Sequence, residues 1–274
     1  MKTKIVLLTM LTSLMVMLST SSFGQGFGLG VRVGTNLSKL TNWDKFVSDF
    51  APDDINVRNP FKTGLQTGLV INPMFSKYVG MEIEINYEQK GLGIRFEDED
   101  DDGHSVVVKG KYNLNYLTLP IMLKAGYASK IFRIHAIVGP YVGYAINGNL
   151  KTYEDNVLKK TYDIEFGSGE KSDNENTIGG PKGIGDPEED QGYVKANSFD
   201  VGFVVGIQPG FKLGPGDLVI DFRYSLGFIG IDNPTSEQKT LFEDAFDKPY
   251  YDQCNSTIGF SVGYIFRLGH HEEK

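Results

Sequence analysis

Polarity alternates from one residue to the next along eight long segments of this 274-residue chain. A period of two predicts β-strands, because successive side chains of a strand point to opposite faces. Most of the segments exceed the about 5–6 residues of an ordinary strand and reach the about 9–11 that a tilted strand needs to cross a bilayer. The segments are Phe27–Leu37, Phe61–Asn72, Tyr78–Lys90, Tyr112–Ala125, Ile131–Ala145, Ser198–Leu213, Asp217–Phe228 and Cys254–Leu268. The pattern therefore predicts an all-β protein.

The connections between these segments alternate between short and long. The short ones are rich in turn-forming residues and are Pro73–Lys77, Gly126–Lys130 and Gly214–Gly216. The long ones are polar and cover residues 38–60, 91–111, 146–197 and 229–253. Short periplasmic turns and long external loops are typical of outer-membrane barrels in Gram-negative bacteria. We therefore predict an eight-stranded antiparallel up-and-down transmembrane β-barrel with both termini on the periplasmic side.

Each predicted strand has one apolar face and one polar face. In Tyr78–Lys90 the apolar residues occupy odd positions, while Glu82, Glu84 and Glu88 occupy even positions. Aromatic residues lie on the apolar faces near strand ends, like the two aromatic girdles of a lipid-facing wall. We assign to the periplasmic girdle Phe27, Phe132, Phe211 and Phe266, and to the external girdle Tyr87, Tyr144, Phe199 and Phe228. The apolar faces are thus predicted to contact lipid.

The polar faces are predicted to line the barrel interior, where they carry charges of both signs. The interior of an eight-stranded barrel is just wide enough to be filled by side chains, and buried charges need partners. The predicted interior charge network comprises Arg32, Glu82, Glu84, Glu88, Lys124, Arg133, Asp200, Lys212, Asp221 and Arg223, with His135 as an interior hydrogen-bonding residue. Its five acids match its five bases. The alternative is a soluble periplasmic β-protein with these charges on its solvent-facing side.

Three prolines lie inside predicted strands, namely Pro120, Pro140 and Pro209. A proline cannot donate a hydrogen bond to the strand ladder, and a closed barrel has no edge at which to place it. We therefore expect local bulges or bends at these three positions.

The N-terminus has the three parts of a secretory signal peptide. Lys2 and Lys4 precede the apolar run Ile5–Leu18, and the small residues Ser22 and Gly24 mark a cleavage site before Gln25. An uncleaved membrane anchor is the alternative, but this run is shorter than the about 20 residues of a spanning helix. We predict a signal peptide over residues 1–24 and a barrel domain over residues 25–274.

Charge and motifs exclude several classes of function. A net charge of −8 disfavours nucleic-acid binding, which needs a concentrated basic face. The single cysteine, Cys254, excludes an intrachain disulfide and cysteine-rich zinc sites. The sequence contains no P-loop or dinucleotide-binding motif. We therefore predict a non-enzymatic protein without a cofactor.

One acidic motif is a candidate calcium site. Asp98, Asp100 and Asp102, followed by Gly103, match the first half of an EF-hand loop, in which oxygen ligands surround Ca²⁺ on a tight turn. The twelfth position of the motif is Lys109 instead of the bidentate glutamate. The alternative is a solvated acidic tip of an external hairpin. A further alternative is a surface hydrolase in which His104 and Asp102 activate water.

Several segments resemble the PorT-like outer-membrane β-barrel family of Bacteroidetes. The most specific is YLTLPIMLK, residues 116–124, followed by the GPY of the next strand; DVGFVVGIQPGFKL, residues 200–213, and the terminal GYIF, residues 263–266, add to it. The resemblance implies an eight-stranded barrel in the outer membrane. It implies no single activity, although the branch that gives the family its name takes part in protein secretion.

The predicted function is a structural or interaction role in the cell envelope, with a possible link to secretion machinery through the family resemblance. A small passive pore is an alternative, but the narrow interior disfavours it. The expected partners are outer-membrane lipid and lipopolysaccharide, the barrel assembly machinery during biogenesis, and another envelope protein.

Overall fold

Each of the eight predicted segments forms a strand in the computed structural model, and three shorter strands accompany them. The structure describes residues 26–42, 45, 56–58, 60–99, 105–166, 194–231, 239–240, 243–244 and 251–268. The strands are β1 (Phe27–Leu40), β2 (Asn56–Arg58), β3 (Lys62–Pro73), β4 (Val79–Glu99), β5 (Ser105–Ala128), β6 (Phe132–Glu154), β7 (Val157–Phe166), β8 (Val194–Ala196), β9 (Phe199–Leu213), β10 (Gly216–Gly230) and β11 (Cys254–Leu268).

Eight of these strands pair into a closed antiparallel ring. Its order is β1, β3, β4, β5, β6, β9, β10 and β11, and β11 pairs again with β1. The closing pair extends from Phe27 opposite Leu268 to Leu40 opposite Asn255. Each of these eight strands is adjacent in the ring to the ring strands that come before and after it in the sequence, which is the up-and-down arrangement. The predicted fold class is therefore confirmed.

The three prolines cause no register shift, so the expected bulges are wrong. At each proline the backbone pairing with one neighbouring strand is briefly interrupted. The interrupted pairing is with β4 at Pro120, with β5 at Pro140 and with β10 at Pro209. The register of the two strands is the same before and after each interruption. The N–H and C=O groups of one strand residue point toward the same neighbouring strand. A proline therefore weakens the pairing on one side only. The register shifts lie elsewhere, at Asn115/Tyr116, Thr152/Tyr153 and Leu226/Gly230.

The outward-facing side chains form an apolar belt around the ring. The belt runs from Leu117 to Tyr127 on β5 and from Ile258 to Leu268 on β11. Either span matches the about 9–11 residues of a membrane-crossing strand. Phe228, at the external end of β10, is 62% exposed. Such a continuous apolar outer surface suits contact with lipid and does not suit contact with water.

On one side of the barrel the sheet continues beyond the belt. Residues 91–99 of β4, 105–116 of β5 and 147–154 of β6 remain paired there, and β7 folds back on β6. We call this extension, including β7, the external wall. The predicted loops 91–111 and 146–197 are therefore partly strand. Their period of two continues because inward-facing side chains such as Leu92 and Leu150 pack together inside the wall.

The predicted signal peptide, residues 1–24, lies outside the described residues. Among the residues that the structure does describe, no helix combines the length and the apolar character needed to span a membrane.

Candidate functional site: a charged interior and an external wall

The centre of the barrel interior contains an ion cluster that joins three strands. Glu84 on β4 is 1% exposed, and its two carboxylate oxygens lie 2.6 Å from Nη1 of Arg32 on β1 and 2.9 Å from Nη1 of Arg223 on β10. Nε of Arg223 also donates to Oδ1 of Asp221, at 2.6 Å. The two guanidinium groups thus hold one carboxylate between opposite parts of the barrel wall. Buried ion pairs of this kind need such geometry to offset the cost of desolvation.

A second group extends the central cluster toward β5 and β9. Nζ of Lys124 lies 3.0 Å from Oε2 of Glu82, and both residues are buried. The amide of Gln208 donates to Oε1 of Glu82 and to Oδ2 of Asp221. Five strands are therefore joined across the interior by side-chain contacts at this level.

A third group surrounds Lys90 nearer the external side. Nζ of Lys90 lies 3.1 Å from Oδ2 of Asp200 and 3.1 Å from Oε2 of Glu88. Asp200 also accepts hydrogen bonds from Tyr141 Oη and Asn255 Nδ2, both at 3.1 Å. The sequence prediction omitted Lys90 because it ended the predicted strand there. The signal was nevertheless present, since Lys90 continues the even-numbered series of Glu82, Glu84 and Glu88.

A fourth group lies at the periplasmic end. Oδ2 of Asp217 is 2.7 Å from Nε of Arg267 and 3.3 Å from Nη1 of Arg133. Arg267 also donates from Nη1 to Oδ1 of Asn72, at 2.9 Å. The sequence prediction included Arg133 but neither Asp217 nor Arg267. His135 is buried in the interior, and none of the described protein groups forms a hydrogen bond with its Nε2.

Lys212 does not belong to the interior, and its predicted place there is wrong. It lies opposite Asp217, one residue pair before the end of the β9–β10 ladder at the Gly214–Pro215 turn, and it is exposed. Lys212 has an even number, like the inward-facing residues of β9. At the periplasmic end of the barrel, however, an inward-facing side chain of this length reaches water.

The interior charges that the structure describes are balanced. Its six acids are Glu82, Glu84, Glu88, Asp200, Asp217 and Asp221, and its six bases are Arg32, Lys90, Lys124, Arg133, Arg223 and Arg267. We call this set the interior charge network. Every member lies within salt-bridge distance of an opposite charge, as burial requires.

An apolar cluster lies above the network, at the base of the external wall. Its buried members are Leu40, Leu92, Ile94, Tyr112, Leu114, Tyr116, Ala145, Leu150, Ile164 and Ala196. We call it the apolar plug. Burial raises the pKa of Tyr112, which lies in the wall, to about 12, so its hydroxyl stays neutral. Among the described residues, ions and apolar side chains are thus buried along the interior from the periplasmic end to the base of the external wall.

The predicted calcium motif lies mostly outside the described residues. The backbone of Asp98 pairs with Val106 at the tip of the β4–β5 hairpin, while Asp100, Asp102 and His104 are not described. Within the described residues, no group of three or more His, Cys, Asp or Glu residues is arranged to hold a metal ion. The calcium site therefore stays a prediction.

The decisive comparison is with a protein family. Residues 20–233 match the sequence model of the family described as "Outer membrane protein beta-barrel domain". The chain belongs to this family. This outer-membrane barrel thus has the lipid-facing belt and the closed strand ring that its family description implies, and its location is the outer membrane.

Solved structures of other outer-membrane barrels resemble this family member weakly. Neisserial surface protein A is 7% identical with a TM-score of 0.36, over 89% of this chain and 98% of its own. The attachment invasion locus protein Ail of Yersinia pestis, in complex with the heparin analogue sucrose octasulfate, is 11% identical with a TM-score of 0.34, over 88% and 99%. OprG from Pseudomonas aeruginosa is 10% identical with a TM-score of 0.34, over 90% and 97%. Likeness at this level decides nothing about this barrel's function. No curated protein matches the sequence.

Proposed function

We propose that the protein is a non-enzymatic outer-membrane barrel that presents its external wall to another component of the cell envelope. The observation that carries this proposal is the contrast between the two ends of the barrel. The periplasmic turns are short, whereas β4, β5, β6 and β7 continue as paired strands well beyond the apolar belt. A filled interior supports a role as an anchor instead of a conduit.

The wall has the properties of a contact surface held in a fixed orientation. Its strands are paired from Gly91 opposite Asn113 to Glu99 opposite Ser105. At the β6–β7 turn, Val157 and Leu158 are 61% and 51% exposed, although they lie outside the lipid-facing belt. Exposed apolar side chains on a rigid element are a common feature of protein interfaces.

Site-specific photo-crosslinking in native membranes tests this proposal. A photoreactive residue at Val157 or Leu158 is expected to give one defined protein adduct, and the same residue at Lys130, in a periplasmic turn, is expected not to give that adduct. With the photoreactive residue at Val157, replacing Leu158 by aspartate should abolish the adduct while the barrel still migrates in a heat-modifiable way. Identical adducts at both ends of the barrel, or none at the wall, would refute the proposal.

The narrower assignments extend the same proposal. We infer export through a signal peptide cleaved before Gln25, supported by the charged, apolar and small-residue regions of residues 1–24. Resemblance to PorT-like proteins of Bacteroidetes supports an envelope partner that belongs to a secretion machinery. N-terminal sequencing of the protein purified from outer membranes tests the first of these. Identification of the crosslinked partner tests the second, and a partner unrelated to secretion would remove it.

A further inference from the structure

The outward face of β5 and β6 changes in regular layers above the apolar belt. On β5, Leu117 at the upper edge of the belt is followed by Asn115 and Asn113, then by Lys111 and Lys109. On β6 the same order appears, from an exposed apolar edge at Ile146 to two asparagines and a lysine. These are Asn147, Asn149 and Lys151.

The register places these layers side by side. Asn115 is opposite Asn147, and Asn113 is opposite Asn149, with Nδ2 of Asn113 donating to Oδ1 of Asn149 at 2.8 Å. The next outward pair is Lys111 opposite Lys151. Two lysines in directly opposite positions on one face of a sheet repel each other and are destabilising unless an anion lies between them.

The described protein supplies no such anion. None of the described carboxylates forms a salt bridge with Lys111 or Lys151, although Nζ of Lys111 lies 5.1 Å from the centre of the Tyr153 ring. On the other side of Lys111 the cross-strand partner is Gly93, which brings no side chain to this face. Lys109, two residues along the same face, donates to Oδ1 of Asn156.

The level of this cluster above the membrane indicates its ligand. The two asparagine layers follow the last lipid-facing residues directly, so the lysines lie at the headgroup level of the outer leaflet. Lysine clusters at a membrane surface attract anionic lipid headgroups, and an ammonium group binds phosphate as a point charge. The amides beneath them can donate and accept hydrogen bonds with hydroxyl groups of a sugar headgroup.

We propose that Lys111 and Lys151, with Lys109 beside them, bind the phosphate groups of an outer-leaflet glycolipid. The asparagine layers would contact its sugar headgroup, and the apolar belt below would contact its acyl chains. A lipid fits better than a protein segment because the cluster joins the lipid-facing belt without a gap. This site is separate from the exposed tip of the wall, so it does not depend on the proposed protein partner.

An acidic residue on the neighbouring strand β7 opposes the binding of phosphate at this site. Asp163 on β7 is paired with Asn149, which makes it a diagonal neighbour of Lys151 on the outward face. Because its carboxylate repels phosphate, replacing it by asparagine is expected to strengthen lipid binding.

The test measures lipid retained by the full mature protein in detergent, by native mass spectrometry, with bisphosphorylated lipid A as the probe. We expect K111Q/K151Q to bind about 10- to 30-fold more weakly than the wild type, from about 1 kcal/mol for each lysine at a membrane surface. The matched control is K77Q/K130Q, which removes two exposed lysines from the periplasmic turns and should retain the lipid. D163N should retain more. Heat-modifiable migration verifies that each variant is folded.

Four results would overturn the proposal. One is equal retention of lipid A from which the phosphates have been removed. Another is an equal loss of lipid A in K77Q/K130Q. The third is saturation of the site by inorganic phosphate alone at concentrations that displace lipid A, which would show a site for a free ion. The fourth is unchanged lipid binding in K111Q/K151Q, and a simultaneous loss of the protein adduct would assign the surface to a protein partner.

Discussion

Glu84 and Arg32 lie 2.6 Å apart in the centre of the barrel, although 52 positions separate them in the chain and another strand stands between theirs in the ring. Arg223, from β10, holds the second oxygen of the same carboxylate. This one side chain therefore links three strands, and its removal should affect the whole barrel.

Replacing Glu84 by glutamine is expected to lower the free energy of unfolding by about 3–5 kcal/mol, because it leaves two guanidinium groups buried without a full counter-charge. Urea unfolding in detergent micelles measures the effect. The matched control is Lys212→Gln, which removes a charge that was predicted to lie inside but is exposed, and it should change stability by less than about 0.5 kcal/mol. Equal effects of both substitutions would contradict this assignment of the interior.

Lys90 should be more sensitive to substitution than any exposed lysine. Lys90→Met leaves Asp200 and Glu88 buried without their cation, and we expect a loss of about 3–5 kcal/mol in stability. Lys77→Met, in an exposed periplasmic turn, serves as the control and should be nearly neutral. The temperature at which the folded band disappears on a gel gives the ranking, and a reversed order would refute the third ion group.

Close strand packing at Gly139 should not tolerate a methyl group. A Cβ atom there would collide with the carbonyl oxygen of Ile121 and approach Cα of Met122 to 2.7 Å, whereas at Gly210 the nearest atom would be 3.4 Å away. Gly139→Ala is expected to cost about 1–3 kcal/mol through overpacking, and Gly210→Ala considerably less. Refolding yield and urea midpoints distinguish the two variants. A Gly139→Ala protein as stable as Gly210→Ala would show that β5 and β6 lie farther apart.

The barrel should not conduct ions steadily. The interior charge network fills its centre, and the apolar plug, which includes Leu114 and Tyr116, fills its external end. Planar-bilayer recordings of the purified protein are therefore expected to match recordings with detergent alone. A steady current proportional to voltage would instead support the passive pore.

Alternation of polarity was sufficient to place most interior residues on the correct face. Glu82, Glu84, Asp221 and Arg223 were all predicted to point inward and are buried there. The alternation could not predict the level of each residue, that is, its position along the barrel axis. That level depends on how each strand is staggered against its neighbours, which long-range pairing sets. For this reason Lys212 was placed inside, while Lys90 was omitted.

Local sequence also could not say where strands stop. Residues 91–111 were predicted as an external loop with a hairpin at the acidic motif, yet β4 and β5 remain paired without a break to Glu99 and Ser105, because inward apolar residues on both strands pack together. The external wall and its outward lysines are consequences of that packing.

The amino-acid sequence by itself determined the eight strands of the ring, the two faces of each of these strands and the membrane location, because all three follow from local patterns of polarity and turn residues. Only the tertiary structure decided which charge meets which across the barrel, how the interior is closed, and where Lys111 comes to lie opposite Lys151. Those relationships join residues far apart in the chain, and they exist only once the ring of strands has closed in one register.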